Sequence, residues 1–114
     1  MSLIRNVPIS YQLGKGKAVV LYIKAEWCPY CQRAKPEIER ASAILGSAVP
    51  VYAVDADDNA ALIKSWQARL GRITFPTILF SDGKGNVFVY PSGKPRTADA
   101  LQAWVCKLSG LCSN

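Results

Sequence analysis

From Ala18 to Lys24 the chain reads Ala-Val-Val-Leu-Tyr-Ile-Lys, an apolar run rich in β-branched residues that predicts a buried strand over 18–24. After Cys28 the period lengthens. Ala34, Ile38, Ala41 and Leu45 recur at three- and four-residue steps and predict a core-facing helix over 28–45, stopped by Gly46. Val49-Pro50-Val51-Tyr52-Ala53-Val54 predicts a second buried strand over 49–55. Leu62, Ile63, Trp66 and Leu70 predict a helix over 59–70, capped by Asp57 or Asp58. Thr77-Ile78-Leu79-Phe80 opens a strand over 77–81, Gly83-Lys84-Gly85-Asn86 reads as a hairpin turn, and a further strand occupies 86–90. A last helix over 97–108 carries Leu101, Trp104, Val105 and Leu108 on its apolar face, while the stretch through Lys17 is irregular or short-stranded. A right-handed crossover makes the first two strands parallel, and the hairpin makes the last two antiparallel. The fold class is therefore α/β, a central mixed sheet with helices on both faces.

The length of 114 residues, half of them hydrophobic, fits a single domain over 1–114 that buries its own core. No apolar run reaches the length of a membrane span, and Lys24 interrupts the longest. Met1-Ser2-Leu3-Ile4-Arg5 holds no apolar signal region; the expected location is the cytoplasm, or an oxidising compartment such as a periplasm or secretory lumen if a leader has been removed. The net charge of +6 comes from 14 basic residues scattered singly from Arg5 to Lys107, without the block or aromatic platform that nucleic acid requires, so it reads as solubility and steering. A basic rim including Arg33, Lys35 and Arg72 favours acidic substrates or glutathione. Asp82-Gly83 and Ser92-Gly93 are turns rather than phosphate-binding loops, no repeat or linker is visible, and a monomer is expected.

The chemistry concentrates in Trp27-Cys28-Pro29-Tyr30-Cys31, where the first long strand hands over to a helix. Pro29 suits the first helical position and puts Cys28 at the N-cap, where unpaired N–H groups and the helix dipole favour an exposed, anionic sulfur able to attack a disulfide. Cys31 follows one turn later on the same face, placed to displace a mixed disulfide from Cys28. Trp27 is either a plane facing the substrate or strand-end core. A zinc site is the competing use of these thiols, with Cys106 and Cys112 as the other two ligands. There is no histidine, and Pro29 sets the pair on a helix rather than on the tight turn of a zinc ribbon. Cys106 falls off the apolar stripe of its helix, and Gly110 lets Cys112 turn back toward it; a small-loop disulfide, two free thiols and contact with another chain all remain open.

Ala25-Glu26-Trp27-Cys28-x-x-Cys31, Pro36 and Phe75-Pro76-Thr77 together resemble the thioredoxin superfamily over nearly all the chain. The resemblance implies a thioredoxin fold and a thiol–disulfide oxidoreductase in which Cys28 attacks and Cys31 resolves. It implies a kink of the active-site helix at Pro36 and a cis-proline at Pro76 facing the dithiol, with a backbone edge on which a substrate peptide pairs. Trp27, Pro29, Tyr30, Phe75, Pro76 and Thr77 are the substrate-binding candidates. Cys28-Pro29-Tyr30-Cys31-Gln32-Arg33-Ala34-Lys35 is similar to glutaredoxins, and Ala25-Glu26-Trp27 to thioredoxins. Tyr90-x-x-Gly93-x-x-Arg96-Thr97 resembles a catalytic domain of the protein disulfide isomerases, in which an arginine eases ionisation of the resolving cysteine; Arg96 is the candidate, against a plain solvated loop cation.

Two departures matter. The acid that many of these proteins bury six residues before the first cysteine is Tyr22 here, so proton removal from Cys31 falls to water, to Glu26, or to help from Arg96. The Gly-Gly pair with which glutaredoxins hold glutathione is missing after the cis-proline strand. The resemblance implies no bound cofactor beyond the Cys28–Cys31 disulfide itself, protein thiols and disulfides as partners, and a thioredoxin reductase or glutathione as electron source. A glutathione-dependent reductase and a non-catalytic thioredoxin-fold binding module are the alternatives. The direction of the reaction is open.

Overall fold

A computed structural model describes residues 4–112, so Met1, Ser2 and Leu3 of the amino-terminal stretch lie outside the described residues. The elements run β1 (Arg5–Asn6), β2 (Val19–Lys24), α1 (Pro29–Leu45), β3 (Val51–Asp55), α2 (Ala60–Leu70), β4 (Thr77–Ser81), β5 (Val87–Val89) and α3 (Ala98–Ser109). The sheet order is β1-β3-β2-β4-β5. β2 pairs parallel with β3, from Val20 opposite Val51 to Lys24 opposite Asp55, and antiparallel with β4, from Val19 opposite Ser81 to Ile23 opposite Thr77. That antiparallel register positions the site. The end of β2, which leads into Cys28, lies beside the start of β4, which follows Pro76.

Alternation along β2 sorts the core into two layers. Val20 and Tyr22 face α1 and α3, packing with Ala34, Ile38, Ala41, Leu45, Leu101 and Val105. Val19, Leu21 and Ile23 face the other way, onto Ile63 and Trp66 of α2. The helical stripe read from the sequence is buried as expected, and α1 runs on through Pro36. α3 is tied to α1 where the Glu37 carboxylate accepts the Ala98 N–H at 3.0 Å, and Thr97 caps the helix by accepting the Ala100 N–H at 3.2 Å.

Some expectations shift. β3 begins at Val51 rather than at residue 49, although the Pro50 carbonyl still accepts the Val20 N–H at 2.9 Å. β5 is cut to three residues. Neither Asp57 nor Asp58 caps α2; Asn59 holds the N-cap position. The turn is organised instead by Asp55, a buried carboxylate at the end of β3 that accepts the N–H groups of Asp57 at 2.9 Å and Asp58 at 3.2 Å. Gly83 in the β4–β5 hairpin has φ +77°, and a Cβ there would lie 2.2 Å from the Gly16 carbonyl oxygen. Only glycine lets the hairpin close on residues 14–16, a contact fastened by Gly14 N–H to Ser81 Oγ at 3.1 Å and Gly85 N–H to the Gly14 carbonyl at 2.9 Å.

Candidate active site

Cys28 is the N-cap of α1, with extended backbone, and its Sγ accepts the Cys31 N–H at 3.2 Å. This is the orphan N–H of the first turn that an N-cap side chain normally takes, here taken by sulfur. Across the sheet the Phe75–Pro76 bond is cis. The Cys28 thiol points at the Phe75 carbonyl, 3.7 Å away. The two cysteines are not bonded to each other, and they form a small apolar cluster with Ala25, against which Ala56 and Phe75 pack. The expected open sulfur is therefore corrected. Cys28 is only 4% exposed and Cys31 2%, covered by Ala56 and Phe75, while the large side chains on either side of Cys28 point outward.

Those outward side chains are Trp27 and Tyr30, 64% and 61% exposed. Trp27 is not strand core; it stands edge-on to Phe75, ring centroids 5.7 Å apart, as an apolar wall beside the sulfurs. Tyr30 lies under the Arg33 guanidinium at 5.1 Å. Pro29 is exposed at the first helical position, and the Thr77 hydroxyl donates to the Thr74 carbonyl, bracing the turn before β4.

Tyr22, which stands where related proteins bury an acid, donates its phenol O–H to the Cys31 carbonyl at 2.7 Å. Burial, reinforced by the neighbouring thiols, pushes the phenol well above its ordinary range, so it stays neutral and holds the backbone of Cys31. Burial also pushes the Cys31 thiol up to about 12, with its hydrogen bond to Cys28 adding to the shift and the Ala25 backbone and the charge of Arg96 opposing it. Glu26 is turned to solvent and paired with Lys24, whose ammonium also lies 3.6 Å from Asp55. Among the described residues no hydrogen bond joins the Glu26 carboxylate to Cys31. Arg96 is half-buried in a loop pinned by Tyr90, whose hydroxyl donates to the Pro95 carbonyl and whose ring meets Trp104 at 5.1 Å.

Cys106 and Cys112 form a disulfide, Cα atoms 5.3 Å apart, behind the left-handed Gly110 that ends α3. The bond occupies both sulfurs, so they are not the second half of a zinc site with Cys28 and Cys31. Cys106 is not part of the buried core, as its place off the helical stripe predicts, and packs partly buried against its edge.

The sequence model of the thioredoxin family matches residues 10–107. The chain belongs to the thioredoxin family. It is 30% identical over 103 residues to a protein disulfide-isomerase of Ricinus communis, covering 89% of this chain and 20% of that protein. It is 38% identical over 78 residues to human protein disulfide-isomerase A6, covering 68% and 16%. The chain thus spans a fifth or less of the length of these relatives. Among solved structures, the Trx4 domain of ERdj5 superposes with a TM-score of 0.70 at 18% identity, over 97% of this chain and all of that one, and human ERp44 with 0.74 at 20% identity, over 96% and 31%. These neighbours share the thioredoxin fold, the mixed five-stranded sheet described above.

Two features of this thioredoxin-family site were not read from the sequence. The Tyr22 bond to the Cys31 carbonyl had one available signal, since Tyr22 alternates onto the same sheet face that α1 covers. The placing of Arg72 and Arg96 on one cavity with Pro76 had none, because 23 residues and a hairpin separate them.

Proposed function

We propose that the protein is a thiol–disulfide oxidoreductase acting on protein disulfides, with Cys28 as nucleophile and Cys31 as resolving thiol. The observation that carries this reading is the Cys28 sulfur at the head of α1, receiving the Cys31 N–H and facing the Phe75 carbonyl beside cis-Pro76. Family membership and relatives named protein disulfide-isomerase support it. As reductase, the Cys28 thiolate attacks one sulfur of the substrate disulfide; that S–S bond breaks and the leaving sulfur takes a proton. The Cys31 thiol then gives up its proton to water and attacks Cys28 Sγ, breaking the mixed disulfide and releasing the second substrate thiol. Two electrons and two protons have moved to the substrate, and the reverse sequence donates a disulfide. Trp27 and Phe75 form the apolar wall, and the backbone at Phe75 supplies a polar edge for a substrate strand. Arg96 favours the ionised state of Cys31 through its charge. The Cys106–Cys112 bond supports work in an oxidising compartment.

Incubated with a disulfide-bonded protein, the Cys31→Ser variant should accumulate a covalent complex through Cys28, and Cys28→Ser should form none. Equilibration of the parent protein against a glutathione series then gives the direction, since thioredoxin-fold pairs span about 150 mV, or about 7 kcal/mol for two electrons. Failure of Cys31→Ser to trap any partner, with Cys28→Ser still binding partners as well as the parent, would establish a binding module instead.

A further inference from the structure

Beside cis-Pro76 lies a cavity of about 220 Å³ that the redox chemistry itself does not use. Arg72 lines it from the loop after α2 and Arg96 from the loop before α3, and the hydroxyl residues Thr74, Thr77 and Ser92 also line it. Its lining contains no Asp or Glu. Elsewhere Arg33 covers Tyr30, Arg40 pairs with Glu37, Arg69 donates to the Gly85 carbonyl, and Lys24 bridges Glu26 and Asp55. Among the described residues, Arg72 and Arg96 have neither a carboxylate partner nor a hydrogen bond. Two guanidiniums at one cavity, with the Thr74 and Ser92 hydroxyls beside them, the Thr77 hydroxyl already spent on the Thr74 carbonyl, and no internal anion, are suited to bind a carboxylate, which guanidinium recognises in fork geometry. The cavity is also next to the reacting atoms. Pro76 in its wall directly follows Phe75, whose carbonyl faces the Cys28 thiol, and the field of Arg96 reaches Cys31.

We infer that this cavity is a specificity subsite for an acidic side chain of the substrate, so that the enzyme prefers disulfides whose cysteine is flanked by Asp or Glu. The inference rests on the oxidoreductase reading and names its substrate class. In an extended peptide with its cysteine at Cys28, a residue two positions away lies about 7 Å further along and on the same face as the cysteine. The apolar stem of a glutamate fits against the exposed Val89, and its carboxylate meets the two arginines.

The test uses homodimeric disulfides of short peptides, acetylated and amidated at their ends, with Glu, Gln or Lys placed two residues before or after the cysteine. The reduced protein is mixed with each, and the second-order rate is read by acid quench and mass spectrometry. In at least one placement the Glu peptide should react about fivefold faster than the Gln peptide, the range expected of partly exposed charge pairs, and Lys should be slower still. The Glu-to-Gln ratio should shrink in Arg72→Gln and in Arg96→Gln, reach about one in the double variant, survive in Arg72→Lys, and fall in about 0.5 M salt as screening shortens. Equal rates for Glu, Gln and Lys peptides in both placements overturn the inference while leaving the oxidoreductase reading intact. So does a ratio that persists in the double variant. No reaction with any peptide removes both.

Discussion

Replacing Tyr22 by phenylalanine takes one oxygen from beneath Cys31 and leaves the packing of the ring in place. The bond lost is a buried phenol-to-carbonyl contact of 2.7 Å, and the Cys31 carbonyl keeps its place in the α1 ladder. Because the acceptor stays partnered, the cost is that of one net hydrogen bond, about 1 kcal/mol, rather than the larger penalty for an orphaned polar group. For a domain of this size that is a fall of about 3–5 °C in Tm, measurable by calorimetry or urea unfolding of the reduced protein. Catalysis gives the sharper test. A phenol held neutral over the working pH range neither accepts nor supplies a proton, so Tyr22→Phe should reduce disulfides within about threefold of the parent and keep the shape of its pH profile. A residue acting as general acid or base typically contributes about 10²–10⁴-fold. A hundredfold loss in a variant that folds normally would show that Tyr22 handles the Cys31 proton and is not an anchor.

The pH dependence of Cys31 itself has a definite sign. Because burial is the main cause of its raised pKa, the Cys31 thiol should keep gaining thiolate above the ordinary thiol range, so escape from a trapped mixed disulfide should still be accelerating at about pH 9, measured by stopped mixing with a preformed complex. A folded-state pKa above the ordinary value of about 8.5 means that this group's contribution to stability is full below that pH and is lost as pH rises toward about 12, so the reduced protein should lose resistance to urea across that window. Gly83→Ala combines a positive φ with the approach to the Gly16 carbonyl and should cost at least about 2 kcal/mol in urea unfolding; a neutral effect would mean the contact with residues 14–16 is dispensable. The paired change Cys106→Ser with Cys112→Ser opens a loop of sequence separation 6 and should cost about 2 kcal/mol by chain entropy, with disulfide reduction by Cys28 unaltered. Lost activity there would put the second pair in the electron path.

The elements that bury a continuous stripe were legible in advance: Val19–Ile23 as a central strand, Ala34, Ile38, Ala41 and Leu45 as one helix face, and the strand beginning after Pro76. Local rules also placed Cys28 at the N-cap, since Pro29 and the change of period are both visible within a few residues. What escaped depends on contacts between distant segments. Asp55 outcompeted Asp57 and Asp58 because a carboxylate fixed at the end of a strand collects N–H groups from the turn that follows it. The burial of Cys28 comes from Ala56 and Phe75, contributed by other loops, and the placing of Arg72 on one cavity with Arg96 comes from the return of β4 and β5. Cys106 stays off the buried core, as its own helix predicts, and packs against its edge where Cys112 folds back onto it.

Trp27 stands 64% exposed one residue before Cys28, while Trp66 is 4% exposed on the opposite face of the sheet. A quencher dissolved in water reaches the Trp27 indole and is shut out from Trp66, so emission lost to it reports the surroundings of the dithiol. The exposed indole is thus a native optical reporter set one residue from Cys28.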